Sequence, residues 1–200
     1  MSTTTSEAGL RERKKAATRQ ALHQAAVRLA IAHGADKITV EAVADAAGVS
    51  RRTFSNYFAN KEEALLYGDQ QRIGALIGIV QARPADERPW VALTEAAREF
   101  YRQLGTLDPA WVAQTRLLRS QPALLAQQIN TFAAAERELA AAVTARMTEP
   151  DPSGVRARLA AATFMAALRV ALHIWLDAPA DASLGDLVDR ALAEAGRGFA

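Results

Sequence analysis

The sequence predicts an all-α protein of about nine helices, a three-helix N-terminal head carrying a helix-turn-helix followed by a helical body. Three observations lead there. The 200 residues are 50% hydrophobic but only 6% aromatic, with 7 Pro and 11 Gly, a composition of helix formers rather than strand formers. Apolar residues return every three or four positions along most of the chain, and no alternating run of useful length occurs. Pro, Gly and Asp clusters then cut the periodic stretches into helix-sized pieces.

Taken in order, residues 1–10 are Ser/Thr-rich and read as a flexible arm leading into the basic run Arg11, Arg13, Lys14, Lys15 and Arg19. Leu22, Ala25, Ala26, Leu29 and Ala30 share one helical face of a first helix, which Gly34 ends. Thr39 caps a second short helix with Val40, Val43, Ala44 and Ala47 on its inner face, and Gly48 breaks it. Ser50 caps a third, Arg51 to Phe58, with Phe54 and Phe58 one turn apart. Asn60 caps a fourth running from Lys61 to about Gln81, where Gly74 and Gly78 form a GxxxG pair read as a close-packing spot. Further helices are expected at Trp90 to Leu104, Pro109 to Ser120, Ala123 to Met147, Val155 to Asp177 and Leu184 to Phe199.

Charge and composition limit the chemistry. Up to Lys61 there are 10 Lys/Arg against 5 Asp/Glu, and beyond it 14 against 17, so a +5 head precedes a −3 body. A basic head fits a polyanionic partner. With no Cys, disulfides, thiolate metal sites and thiol nucleophiles are excluded. His23, His33 and His173 form no metal-binding pair, and neither a phosphate-cradling Gly loop nor a GxSxG elbow occurs, so no cofactor, metal site or catalytic residue is expected. The first ten residues lack a basic start followed by an apolar run, which leads to the expectation of a cytoplasmic protein.

Function is concentrated between Ile38 and Leu65. A short helix, a Gly48-Val49-Ser50 turn and a second short helix with an aromatic back and a polar front make a helix-turn-helix. Gly48 supplies a left-handed backbone where the chain reverses. Phe54 and Phe58 anchor the second helix, and Arg51, Arg52, Thr53, Ser55 and Asn56 face outward, the arrangement that suits a major groove. Arg51 and Arg52 are the candidates for reading guanine, because a guanidinium matches O6 and N7 with two hydrogen bonds; Asn56 and the Thr53 methyl are secondary readers.

Thr39, Val43-Ala44, Ala47-Gly48-Val49-Ser50, Thr53, Tyr57-Phe58, Lys61-Glu62 and Leu65 resemble, without a gap, the DNA-binding signature of the TetR family of transcriptional regulators. The resemblance implies a domain at 11–60 that binds double-stranded operator DNA, and a domain at 61–200 that binds a small effector and dimerises. It implies Thr39 and Tyr57 as phosphate contacts, with Lys61 also meeting the DNA backbone. The Ala-rich body is similar to actinobacterial acyl-CoA-responsive and mycofactocin-type regulators, which implies a small, largely apolar effector.

Within the body, Leu159 to Leu176 is apolar nearly all the way round and needs partners on several sides. Arg169 and His173 within it argue against a membrane span. With the stripe Leu184, Leu187, Val188, Ala191, Leu192 and Ala195 it reads as a helix pair, 155–177 and 184–199, that meets its twin in a homodimer. Trp90, Phe100, Tyr101, Trp111, Phe132, Phe164 and Met165 are the candidate effector lining, with Arg116 and Arg119 for an anionic head group. The expected function is a ligand-responsive repressor on a pseudo-palindromic operator. The alternative is a helical small-molecule-binding or enzymatic bundle whose basic head mediates other contacts.

Overall fold

The computed structural model describes residues 3–104, 109–119, 122–179 and 182–197. Among them are nine helices: α1 (Thr3–His33), α2 (Val40–Ala46), α3 (Arg51–Ser55), α4 (Lys61–Ala82), α5 (Pro89–Leu104), α6 (Pro109–Arg119), α7 (Pro122–Thr144), α8 (Val155–Asp177) and α9 (Leu184–Gly196). The all-α expectation holds. Ser120 and Phe199, expected helix ends, lie outside the described residues, as do Met1 and Ser2. The remainder of the expected N-terminal arm is helical from Thr3. Neither Pro nor a second Gly interrupts that stretch, so α1, once nucleated, extends backward through it.

The chain forms two compact units, Met1–Asp69 with Ala113–Gln127, and Gln70–Val112 with Gln128–Ala200. This corrects the expected division after residue 60. In the first unit, Leu22, Ala25, Ala26, Val43, Phe54, Phe58, Leu65 and Leu66 form a buried core, and Leu124 from the later segment is buried in the same core. Gln114 donates from Nε2 to the Leu65 carbonyl at 2.9 Å, buried. Sequence reading missed this because a segment far along the chain carries no local sign of which core it completes.

Local sequence sets the turns of the first unit. Gly48 has φ +69°, and the amides of Gly48 and Val49 return to the carbonyls of Asp45 and Ala44, each at 3.0 Å. This is the Schellman closure, which needs a left-handed residue. Thr39 and Ser50 accept from the amides of Ala42 and Thr53 at 3.1 Å each, as expected of caps. Asn60 accepts from the Glu63 amide at 2.8 Å, and the Glu63 carboxylate accepts from the Ala59 amide at 2.7 Å, a near capping box starting α4.

The second unit is built on Ala-rich faces. Ala92, Leu93, Ala96 and Ala97 of α5, Leu139 and Val143 of α7, Ala161, Phe164 and Leu168 of α8, and Leu184, Val188 and Leu192 of α9 share one buried core. Gly196 of α9 lies against the Trp90 indole so closely that a Cβ there would overlap the ring. Arg146 closes the C-terminal end of α4, donating from Nη2 to the carbonyls of Val80 at 2.8 Å and Arg83 at 3.0 Å, and from Nη1 to Ala142 at 3.0 Å. The Gly74/Gly78 pair does not behave as expected: both are exposed, and at either position a Cβ would meet no atom of the described residues within 4 Å.

Candidate nucleic-acid interface and effector residues

Helix α3 is five residues long and is held from behind by one side chain, Phe54, 1% exposed. Phe58, just past the helix end, lies 5.8 Å from it, and Phe58 in turn meets Tyr67 of α4 edge-on at 5.6 Å. With the back fixed, Arg51, Arg52, Ser55 and Asn56 are left exposed on the front, as is Ser50 at the cap, while Thr53 and Tyr57 are half-buried. The helix ends sooner than expected, at Ser55, with Asn56 as its C-cap. Tyr57 and Phe58 still bond back to the Phe54 carbonyl at 2.9 and 3.0 Å.

Each predicted DNA-facing residue has a defined chemical state. The Thr39 oxygen caps α2, which leaves its hydroxyl proton for an outside acceptor. Ser50 and Thr53 hydroxyls are 2.9 Å apart, so one proton is shared between them and one remains. Arg51 makes an ion contact from Nε to Oε1 of Glu41 at 3.1 Å. Lys61 differs from expectation. Its ammonium donates to the carbonyls of Ala35 at 3.0 Å, Asp36 at 3.1 Å and Ile38 at 2.9 Å, one for each of its protons. The carbonyls left open between α1 and α2 attract it more strongly than solvent does.

Three residues of this region carry roles that their local sequence does not announce. The Arg19 guanidinium lies over the rings of Phe58, at 5.1 Å, and Tyr67, at 4.9 Å, and pairs with Glu63 at 3.7 Å. In the sequence it is simply the last member of a basic run. His23, one turn on, is buried, with Nδ1 2.8 Å from the Ala64 carbonyl, so that nitrogen carries the proton. Glu41, two positions after the Thr39 cap, has the look of a helix-start carboxylate and gives no other signal.

The predicted effector residues divide between the units. Arg116 and Arg119 are exposed and fall in the unit of the head; the other seven fall in the second. Phe164 is fully buried and edge-on to Trp90 at 6.5 Å, and Met165 is buried in the same core. Phe100 meets Tyr101 edge-on at 5.3 Å, and Phe132 packs partly buried against the core. Trp111 stacks on Trp175 at 6.2 Å, with the Arg72 guanidinium of α4 5.0 Å from its ring. Burial pushes the Tyr101 phenol up to about 12. Thr94, two turns before Tyr101 on the same side of α5, has a buried hydroxyl oxygen that bonds to none of the described residues. Thr94, Arg72 and Trp175 were not among the predicted lining residues; a Thr inside an Ala-rich helical face was the one available sign.

The apolar stripe of α9 is turned inward, with Leu184, Val188 and Leu192 buried and Leu187 packed partly buried against the same core. Helix α8 differs. It is long and apolar enough to cross a membrane by length and composition, yet nine of its residues are buried in the unit's core. On the opposite side Val155, Leu159, Val170 and Ile174, each about half exposed at 48–54%, fall within an arc of about 100°.

The chain matches two family models, one described as bacterial regulatory proteins of the tetR family over residues 22–67, the other as the MftR C-terminal domain over residues 87–200. It is 33% identical over 173 residues to the HTH-type transcriptional regulator TcmR of Streptomyces glaucescens, covering 84% of this chain and 76% of that one. The fold is similar to SmeT, the repressor of the Stenotrophomonas maltophilia multidrug efflux pump SmeDEF. There the TM-score is 0.65 at 18% identity, over 90% of this chain and 89% of SmeT. It is also similar to the repressor FadR of Thermus thermophilus in complex with lauroyl-CoA. That match has a TM-score of 0.58 at 20% identity, over 91% of this chain and 95% of FadR.

Proposed function

Because this chain belongs to the TetR family of ligand-responsive transcriptional regulators, we propose that its α3 face reads an operator through Arg51 and Arg52 while Thr39 and Tyr57 hold the phosphates. The observation that carries the reading is the exposed pair of arginines on a helix whose aromatic back is fully buried. Guanidinium groups in a major groove accept no substitute of equal geometry, so they set sequence preference, whereas hydroxyls on phosphates set position. Lys61 acts from behind by fixing the chain before Thr39.

Two heads acting together require a dimer, and the outer stripe of α8 is the surface we assign to it. Four half-exposed aliphatic side chains in one arc are costly to leave in water, and a second copy covers them by two-fold symmetry. The recognition helices then enter successive major grooves about 34–36 Å apart, and the operator is a pseudo-palindrome. The effector is a small, largely apolar molecule held in the second unit, with the Thr94 hydroxyl and the Tyr101 phenol as its polar contacts. It releases DNA by binding better to the form with the wrong head spacing, a coupling of about 1–3 kcal/mol. The protein works where its DNA is, in the cytoplasm.

The test is binding of the purified full chain to duplexes selected from a randomised pool, across a range of salt. Arg52→Ala is expected to relax base preference at one position per half-site. Lys61→Met is expected to weaken binding to every sequence while leaving the salt slope unchanged, since no phosphate contact is lost. Equal affinity of the unaltered protein for selected and scrambled DNA would overturn the reading. For the α8 surface, Ile174→Glu is expected to give monomers in sedimentation at concentrations where the unaltered chain is dimeric.

A further inference from the structure

We propose that Glu41 is a specificity-determining residue of the DNA-reading face: it holds the Arg51 guanidinium by Nε, so that the two terminal amino groups are presented together to one guanine. The inference rests on the operator-binding reading above. Its starting point is which nitrogen the carboxylate meets. A guanidinium has one N–H on Nε and four on the two Nη atoms, and only the edge carrying both Nη groups, or an Nε–Nη edge, offers two parallel donors. In the structure Oε1 of Glu41 is 3.1 Å from Arg51 Nε. The Nε side is taken, and the Nη–Nη edge is the pair of donors left to match guanine O6 and N7.

The pair is not there for the fold. Both side chains are exposed, Arg51 at 72% and Glu41 at 54%, and an exposed ion pair contributes about 0–1 kcal/mol to stability. A carboxylate on a face meant for polyanionic DNA also has a cost, because it repels phosphates. That cost falls on every duplex, whereas the benefit falls only where a guanine stands opposite Arg51. An unrestrained arginine, by contrast, finds a phosphate on any sequence. Fixing its long side chain in advance removes much of the rotamer entropy that the specific contact otherwise loses on binding. Glu41 therefore lowers affinity in general and raises discrimination. A carboxylate present only to favour the start of α2 predicts neither effect.

The experiment uses the full chain and a duplex that the unaltered protein selects from a randomised pool. Each guanine is replaced in turn by 7-deazaguanine, which lacks the N7 acceptor but still pairs with cytosine. One guanine per half-site is expected to show a penalty of about tenfold that Arg51→Ala removes, which identifies it as the Arg51 partner. Glu41→Gln and Glu41→Ala are then expected to lose most of that penalty, to bind scrambled DNA more tightly, and to lower the selected-to-scrambled ratio about tenfold. Thermal melting of both variants is expected to match the unaltered chain, and Glu41→Gln keeps the size of the side chain should Glu41→Ala not fold. A full 7-deazaguanine penalty in the Glu41 variants overturns the proposal, as does the absence of any guanine whose penalty depends on Arg51. Failure of the unaltered protein to discriminate at all overturns instead the operator reading on which it stands.

Discussion

Helix α3 is five residues long and α8 is twenty-three, yet the shorter element is the better specified by its own sequence. Ser50 caps α3, Gly48 turns the chain into it, and Phe54 fixes its rotation; each signal is local and each is present in the structure. Helix α8 begins after Gly154 without a side-chain cap on that residue, and apolar residues surround it, so nothing within it says which side faces inward. Its neighbours decide. Punctuation thus determines geometry where elements are short, while mutual packing determines it where they are long and uniformly apolar.

Breaking the single anchor of α3 gives the largest effect. Phe54→Ala is expected to cost about 3–5 kcal/mol in urea unfolding and to abolish sequence-selective DNA binding. A loss below about 1 kcal/mol would mean that caps alone maintain α3. In the second unit the matching weak point is a close approach. Gly196→Ala is expected to cost about 1–3 kcal/mol and to shift tryptophan fluorescence, because the added methyl meets the Trp90 indole. Trp90→Phe in the same chain should recover part of that loss. The smallest effect has the opposite sign. Gly74→Ala and Gly78→Ala fill open space on a helix surface, and each is expected to raise stability by about 0.5–1 kcal/mol in the same unfolding assay. Destabilisation by either would reveal a surface packed against that stripe in the working assembly.

The legible part of the site was the part written in adjacent residues. Thr39, Ser50, Arg51, Arg52, Ser55 and Asn56 stand exposed around an anchored helix, as their spacing required. Lys61 was legible as a helix-start cation but not in its partners, because the three carbonyls it meets belong to residues 23 to 26 positions away. Arg19 and Glu41 were hidden for the same reason: each has an ordinary local reading, and the ring or guanidinium that gives it a role arrives from another helix. The predicted effector residues were chosen for bulk, and bulk does not distinguish a lining from a core. Phe164 and Met165 are buried in the core, whereas Thr94 stands out by an unanswered hydroxyl, visible only once its surroundings are known.

By itself the sequence determined the all-α class, the turn at Gly48, the caps at Thr39 and Ser50, and the outward arginines of α3. Each follows from backbone sterics or a hydrogen bond closed within a few residues, and such interactions need no distant partner. Tertiary structure decided that 113–127 completes the core of the head, that α9 turns its apolar stripe inward while α8 keeps one outside, and that Lys61 holds a loop. These depend on which surfaces meet, and burial of apolar area is indifferent to sequence separation, so a chain with several comparable apolar faces settles the choice only by folding.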